Sequence, residues 1–179
     1  MRLSRLLAAS VLALAGAAQA ADCGALLRQH LASDMALSFD AFDQDDAKGW
    51  RPLGDAGCEA EAAALIEAYA GKQAHPPQVL AWHRAQMLAK AGRTADAIAA
   101  ARQTLRADTD DSGFDWNDYA NATIAFLQGD KPALQASRDR LAAAVAKSEF
   151  NQPNLRSTDR LLRCFGQPYK VAYECPAKP

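Results

Sequence analysis

The sequence has no Cys-x-x-Cys pair, no His-Glu-x-x-His, no Gly-x-Ser-x-Gly and only three histidines, His30, His75 and His83, which stand at no ligand spacing. These absences remove the usual signatures of a zinc site, a metalloprotease and a hydrolase with a serine elbow. No cysteine sits in the context of a catalytic nucleophile. Blocks of like charge are missing outside the Asp-rich loops, and a nucleic-acid partner is therefore not expected. No cofactor and no metal ion is assigned, and no catalytic residue set can be named from spacing. Glycosidase-like work by a carboxylate pair stays formally open, because Asp and Glu abound, but abundance alone marks solvated faces and caps.

What is present is a leader and a set of helices. Met-Arg-Leu-Ser-Arg is followed by the apolar run LLAASVLALAGAA and by AQA before Ala21. That order of charged, apolar and small residues predicts a signal peptide over residues 1–20, with cleavage after Ala20. The run is shorter than the roughly 20 residues of a membrane span, so removal is expected and not retention as an anchor. Lipidation at Cys23 is disfavoured, because Asp22 stands where a lipoprotein signal carries a small residue. The expected location is periplasmic or secreted. Residues 21–179 form a single domain in this reading, long enough to bury most of its apolar surface. Of the chain's 20 basic residues, Arg2 and Arg5 lie in the leader, which leaves 18 against 21 acidic ones and a net charge of about −3.

The four cysteines, Cys23, Cys58, Cys164 and Cys175, all lie beyond the leader. An even number in an oxidising compartment predicts two disulfides in preference to metal ligation. Three pairings are possible. Sequentially stacked helices touch their neighbours and rarely their distant ends, which favours Cys23 with Cys58 and Cys164 with Cys175.

From Cys23 to about Phe42, Leu26, Leu27, Leu31, Met35, Phe39 and Phe42 recur mostly at three- and four-residue steps and predict one amphipathic helix. Asp43 to Gly57 is rich in Asp, Gly and Pro and breaks it, with Trp50 and Leu53 expected to fold back on the core. CEAEAAALIEAYA predicts the next helix, ended by Gly71. QVLAWHRAQMLAKAG follows two prolines that suit a helix start. Its inner face is read as Val79, Trp82, Ala85, Gln86, Leu88 and Ala89. TADAIAAARQTLRAD comes next, with Thr94 as its N-cap, so the two helices are antiparallel neighbours. DWNDYANATIAFLQ and DKPALQASRDRLAAAVAKSEF repeat the plan. Two further helical segments, NLRSTDRLLRCFG and one around Tyr169, Ala172 and Tyr173, close the chain and bring Cys175 toward Cys164.

Gly92 and Gly129 are 37 residues apart, close to the roughly 34-residue period of a helical-hairpin repeat. Ala85, Gly92 and Ala97 carry the small-residue spacing of the tetratricopeptide repeat family, and Ala122 with Gly129 matches its first half. The chain resembles that family from Pro77 to about Glu149. It departs at Ala101 and Arg138, where the family has aromatic residues, at Leu134, where a small residue is usual, and in lacking the closing proline. The resemblance implies an all-α fold of stacked antiparallel helix pairs, a short solenoid with disulfide staples, and a protein or peptide as partner.

Two local features could carry a ligand. Asp108, Asp110, Ser112 and Gly113 match the first half of a calcium loop, which then fails at Asp115 and Tyr119, where an apolar anchor and a bidentate glutamate belong. Asp115 as a helix cap explains the same residues without an ion. Trp82, His83, Gln86, Trp116 and Tyr119 are the groove candidates, although large aromatics on alanine-rich helices more often pack joints. His83 would need an orienting carboxylate to act as a base, and spacing identifies none. The functional expectation is a scaffold or adaptor that binds protein or peptide. A periplasmic inhibitor or immunity protein with one cognate partner is the alternative, and a cell-wall hydrolase a more distant one.

Overall fold

The computed structural model describes residues 22–107 and 113–176. Ten α-helices and no strand occur among them: α1 Cys23–Ser33, α2 Phe39–Asp43, α3 Arg51–Asp55, α4 Glu59–Ala70, α5 Gln78–Lys90, α6 Thr94–Arg102, α7 Trp116–Gln128, α8 Lys131–Val145, α9 Gln152–Arg163 and α10 Tyr169–Tyr173. Consecutive helices pack as antiparallel pairs, α4 with α5, α5 with α6, α7 with α8 and α8 with α9. Some contacts reach past the next neighbour, and α1 meets α3 and α4 in this way. α7 packs on α9, and α10 returns to α5, placing the end of the chain against its middle.

The long first helix expected from the apolar stripe does not form. α1 stops at Ser33, where the backbone N–H of Asp34 closes on the His30 carbonyl, and Ser38 opens α2 by accepting from the Ala41 amide. Leu31, one of the stripe residues, is 37% exposed. Local polar groups decide here, because Ser and Asp offer the backbone a cap that competes with continued helix. Thr94 is likewise not a cap: Arg93 holds that position, and Thr94 is the first helical residue. The Pro- and Gly-rich segment after Asp43 contains the short α3, whose Leu53 is fully buried, with Trp50 just ahead of it also in the core.

Alanine sets how close the helices come. Ala85, Ala97 and Ala122 are buried between neighbours, while Leu65, Ile66, Leu80, Leu88, Leu134, Leu141 and Leu161 fill the layers around them. Small side chains let backbones approach, and branched ones then reach across to restore interior packing density. Phe42 stacks on Tyr69 with ring centroids 3.7 Å apart, and the Tyr69 hydroxyl donates to the Leu37 carbonyl. This pair joins α2 to α4.

Both disulfides join the residues that locality favours, Cys23–Cys58 and Cys164–Cys175. The first ties the start of α1 to the entrance of α4. The second closes an 11-residue separation and holds α10 beside α9. Replacing Cys164 and Cys175 together by serine removes that closure from the unfolded ensemble and is expected to cost about 3 kcal/mol. A chemical-denaturation midpoint of the double variant against the parent checks this, and an unchanged midpoint would show that the α10 staple carries no stability.

Asp108 to Ser112, the core of the calcium-like loop, lie outside the described residues. Its exit is visible. Asp115 caps α7 by accepting from the Asp118 amide, and the fully buried Asn151 accepts from the Asp115 amide while donating to the Gly113 carbonyl. Asp115 is thus occupied as a helix cap.

Candidate functional site

The polar centre of the molecule is assembled from segments far apart in sequence. Asp43 is the last residue of α2 and has no exposed surface. A buried carboxylate is costly unless its oxygens are filled, and here they are. Trp50 Nε1 donates to one oxygen at 3.0 Å, and His83 Nδ1 lies 2.7 Å from the same oxygen. The Gln44 side-chain amide donates to the other oxygen. Arg51 Nε donates to the Asp43 main-chain oxygen at 2.7 Å. Burial pushes the Asp43 carboxyl up, but the His83 hydrogen bond and charge, with the bonds from Trp50 and Gln44, outweigh it and hold the group below its usual range. Asp43 is therefore an anion that accepts only. The proton in the His83 bond must sit on Nδ1, which leaves Nε2 pointing away from Asp43.

A second Asp–His pair stands on the other side of the same loop. His30 Nδ1 and Asp34 Oδ2 are 2.6 Å apart across one turn of α1, and both residues are buried. Asp34 also accepts from the Ser33 hydroxyl and from the Gly49 amide at 2.8 Å. Burial pushes its carboxyl up, and the bonds from Ser33, His30 and Gly49 more than reverse that. Loop 44–50 is thus anchored at its far end by two carboxylates, Asp34 through Gly49 and Asp43 through Trp50.

His83 faces a cleft of about 440 Å³ between α3, α5 and α10. Trp50, Arg51, Gln86, Met87, Lys90 and Tyr173 line it with His83, and Asp46, Asp55, Glu59, Lys170 and Glu174 carry its remaining charges. On α5, positions 83, 86, 87 and 90 share one face by helical spacing. α10 supplies the opposite wall because the Cys164–Cys175 bridge and its packing on α5 keep it there. Lys170 Nζ meets Glu59 at 2.5 Å, which overcomes the upward push of burial and keeps Glu59 low.

The five groove candidates divide. His83 and Gln86 line the cleft. Trp82, Trp116 and Tyr119 instead pack together at the joint of α5 and α7, with Trp82 4.9 Å from Tyr119 and 5.1 Å from Trp116 between ring centroids. Trp116 Nε1 donates to the Thr104 carbonyl at 2.7 Å, which fixes that joint. Gln86 belongs to both places: its amide nitrogen is 3.3 Å from the hydroxyls of Tyr119 and Tyr173. Burial, followed by the neighbouring tyrosines, pushes the Tyr119 hydroxyl well above its ordinary range, so it stays neutral.

Sequence reasoning missed Asp43, Arg51 and the α10 wall. Asp43 and His83 are 40 positions apart, and no periodicity links them. The only compositional signal was the Asp-rich segment before Trp50, read as a helix breaker. Among the described residues, the one convergent set with metal-ligand atoms is Cys23, Cys58 and Glu61, and its two sulfurs are bonded to each other and are not thiolates.

Against family models, curated proteins and solved structures the chain has no match. Its chemistry is argued from this geometry alone. Among the described residues no helix is long and apolar enough to cross a membrane.

Proposed function

We propose that the protein is an exported helical-repeat adaptor of tetratricopeptide-like build that binds a protein segment or peptide in the cleft around His83. The leader-like N-terminus and the two disulfides support export. The observation that carries the binding reading is the cleft itself. Three separate elements converge on a polar, ligand-sized space whose central histidine is held in one tautomer by a buried carboxylate. A structural histidine needs no open wall beside it. Tyr173 adds a hydroxyl to the cleft wall, where it accepts from Gln86.

Selection of displayed random peptides on the immobilised oxidised protein tests this. The expected result is convergence on a shared motif, with His83→Ala retaining less than about a tenth of the selected peptide, as loss of one well-placed hydrogen bond to a charged or desolvated group implies. No convergence on demonstrably folded protein would remove the reading. Crosslinked capture from an envelope extract then separates an adaptor, with several partners lost in salt, from an inhibitor with one dominant partner.

A hydrolase remains the second reading, because the Asp43–His83 pair has the orientation of a general base, with Nδ1 on a carboxylate and Nε2 left over. Among the described residues no Ser, Thr or Cys lines the cleft, so in this reading the base acts on water. Turnover of purified peptidoglycan that vanishes in His83→Ala would establish it in place of the adaptor.

A further inference from the structure

The basic charge of the chain is gathered toward one end. Residues 131–170 carry 8 basic and 3 acidic side chains, a net charge of +5, whereas residues 21–130 carry 9 and 17, a net charge of −8. Part of the excess is neutralised within the fold: Arg138 meets Asp159 at 2.7 Å and Arg140 meets Asp118 at 2.5 Å. Arg156, Arg160 and Arg163 are exposed on α9 and have no hydrogen-bond or ion-pair partner among the described residues. Spaced by four and three, they form one row about 10 Å long on the helix. Leu155, Thr158 and Leu161 take the buried side. The one acid of α9, Asp159, is the residue already held by Arg138. The helix dipole favours Arg160 and Arg163 in the last turn but gives nothing to Arg156 near the middle, and like charges four apart weaken a helix. Folding alone does not account for the row. Phe150, in the 3-10 turn Glu149–Asn151 that leads into α9, is 80% exposed. Its neighbour Asn151 is fully buried and bonded to the Gly113 and Ala144 carbonyls, so the turn is fixed while the ring stands in water.

We infer that the outer face of α9 is a membrane-contact surface, with its three arginines against the phosphates of an anionic phospholipid bilayer and Phe150 at the boundary of headgroups and acyl chains. Guanidinium groups match phosphate oxygens in a two-pronged geometry, and an anionic surface attracts each added cation. An exposed aromatic ring gains by leaving water for that boundary. Charge and apolar exposure are independent observations, and both belong to one short segment of the chain. A row on the outside of a helix offers no walls to a peptide, whereas a bilayer is a plane that the row and the ring can meet together. The protein lies on such a surface and does not span it. The apolar residues of α9 are already used in the core, and among the described residues no helix is long and apolar enough to cross. None of the four side chains lines the cleft around His83, so the two surfaces do not compete.

The test is cosedimentation with vesicles of phosphatidylcholine alone or with about a third phosphatidylglycerol. Oxidised residues 21–179 are used, because the apolar leader would itself enter lipid and every described contact of the fold lies beyond it. At low salt about half of the protein is expected to sediment at roughly millimolar anionic lipid, and added salt should release it. Neutral vesicles should retain at least about tenfold less. Arg156→Gln, Arg160→Gln and Arg163→Gln together should weaken partition into the anionic vesicles at least about tenfold, and Phe150→Ser about fivefold. All four positions are exposed, so each variant should keep the parent's denaturation midpoint. No sedimentation of folded protein with anionic vesicles, equal sedimentation with neutral ones, or partition unchanged by the arginine substitutions overturns the inference. Tighter binding to a short DNA duplex or to polyglutamate than to anionic vesicles also overturns it, by assigning the row to a nucleic acid or an acidic protein.

Discussion

Asp43→Ala is expected to lower the unfolding free energy by about 4 kcal/mol, a large share of the roughly 5–15 kcal/mol that holds a domain together. The substitution removes the acceptor for Trp50 Nε1, His83 Nδ1 and the Gln44 amide together. Trp50 is only 7% exposed, so its indole N–H would stay unpaired in a place that water does not reach easily. Asp43→Asn keeps the shape and one acceptor oxygen but loses the charge, and it should fall between alanine and the parent. Urea midpoints of the three chains check the order. The pH dependence follows from the same carboxyl. Its folded value lies below the ordinary 3.8, as does that of Asp34. Each therefore adds stability that is fully present above about pH 4 and is lost as pH falls through the folded value. The parent should weaken steeply below about pH 4, and Asp43→Asn should weaken less over that window. Parallel acid profiles for the two chains would show that Asp43 is not the ionised partner of His83.

That dependence on Asp43 also shows where legibility in the sequence ends. The helices from α4 to α9 follow from apolar spacing and caps because both act within a few residues: Asp115 and Asp130 open α7 and α8 as such residues should. The disulfide pairs follow from locality, since each joins elements that are neighbours in the stack. The first helix fails for the opposite reason. The apolar stripe over Cys23 to Phe42 is continuous, but Asp34 is used for His30 and Gly49 and turns the chain before α2. A carboxylate committed to a residue 15 positions away leaves no periodic trace. Asp43 and His83 do the same at 40 positions, and so does the α10 wall, whose Tyr173 meets Gln86 across 87. In the sequence Trp82 and His83 are adjacent and equally plausible groove residues. A rotation of about 100 degrees per residue puts one in the α5–α7 joint and the other in the cleft.

Gly49→Ala is expected to be of similar size, about 4 kcal/mol, and to act on binding as well. Gly49 has a φ of 60°, and a Cβ built there would stand 1.9 Å from the Phe42 carbonyl oxygen and 2.8 Å from its carbon. The obstacle is backbone, not a side chain that can swing aside, so loop 44–50 or the end of α2 must move. Left-handed backbone alone costs an L residue about 1–2 kcal/mol, and forced displacement of packed groups adds about 1–3 more. Gly57 separates the two contributions. It has a φ of 79° with nothing within 4 Å of its would-be Cβ, so Gly57→Ala should show only the conformational part. The excess at position 49 then measures the clash. Its consequences run to the cleft, because the Gly49 amide is bonded to Asp34 and the next two residues place Trp50 and Arg51 beside Asp43. Gly49→Ala should therefore lose peptide affinity at temperatures where it is still folded, whereas Gly57→Ala should keep it. Equal losses of stability in the two variants would mean that the loop yields freely, and the two carboxylates would then not be what holds the cleft in shape.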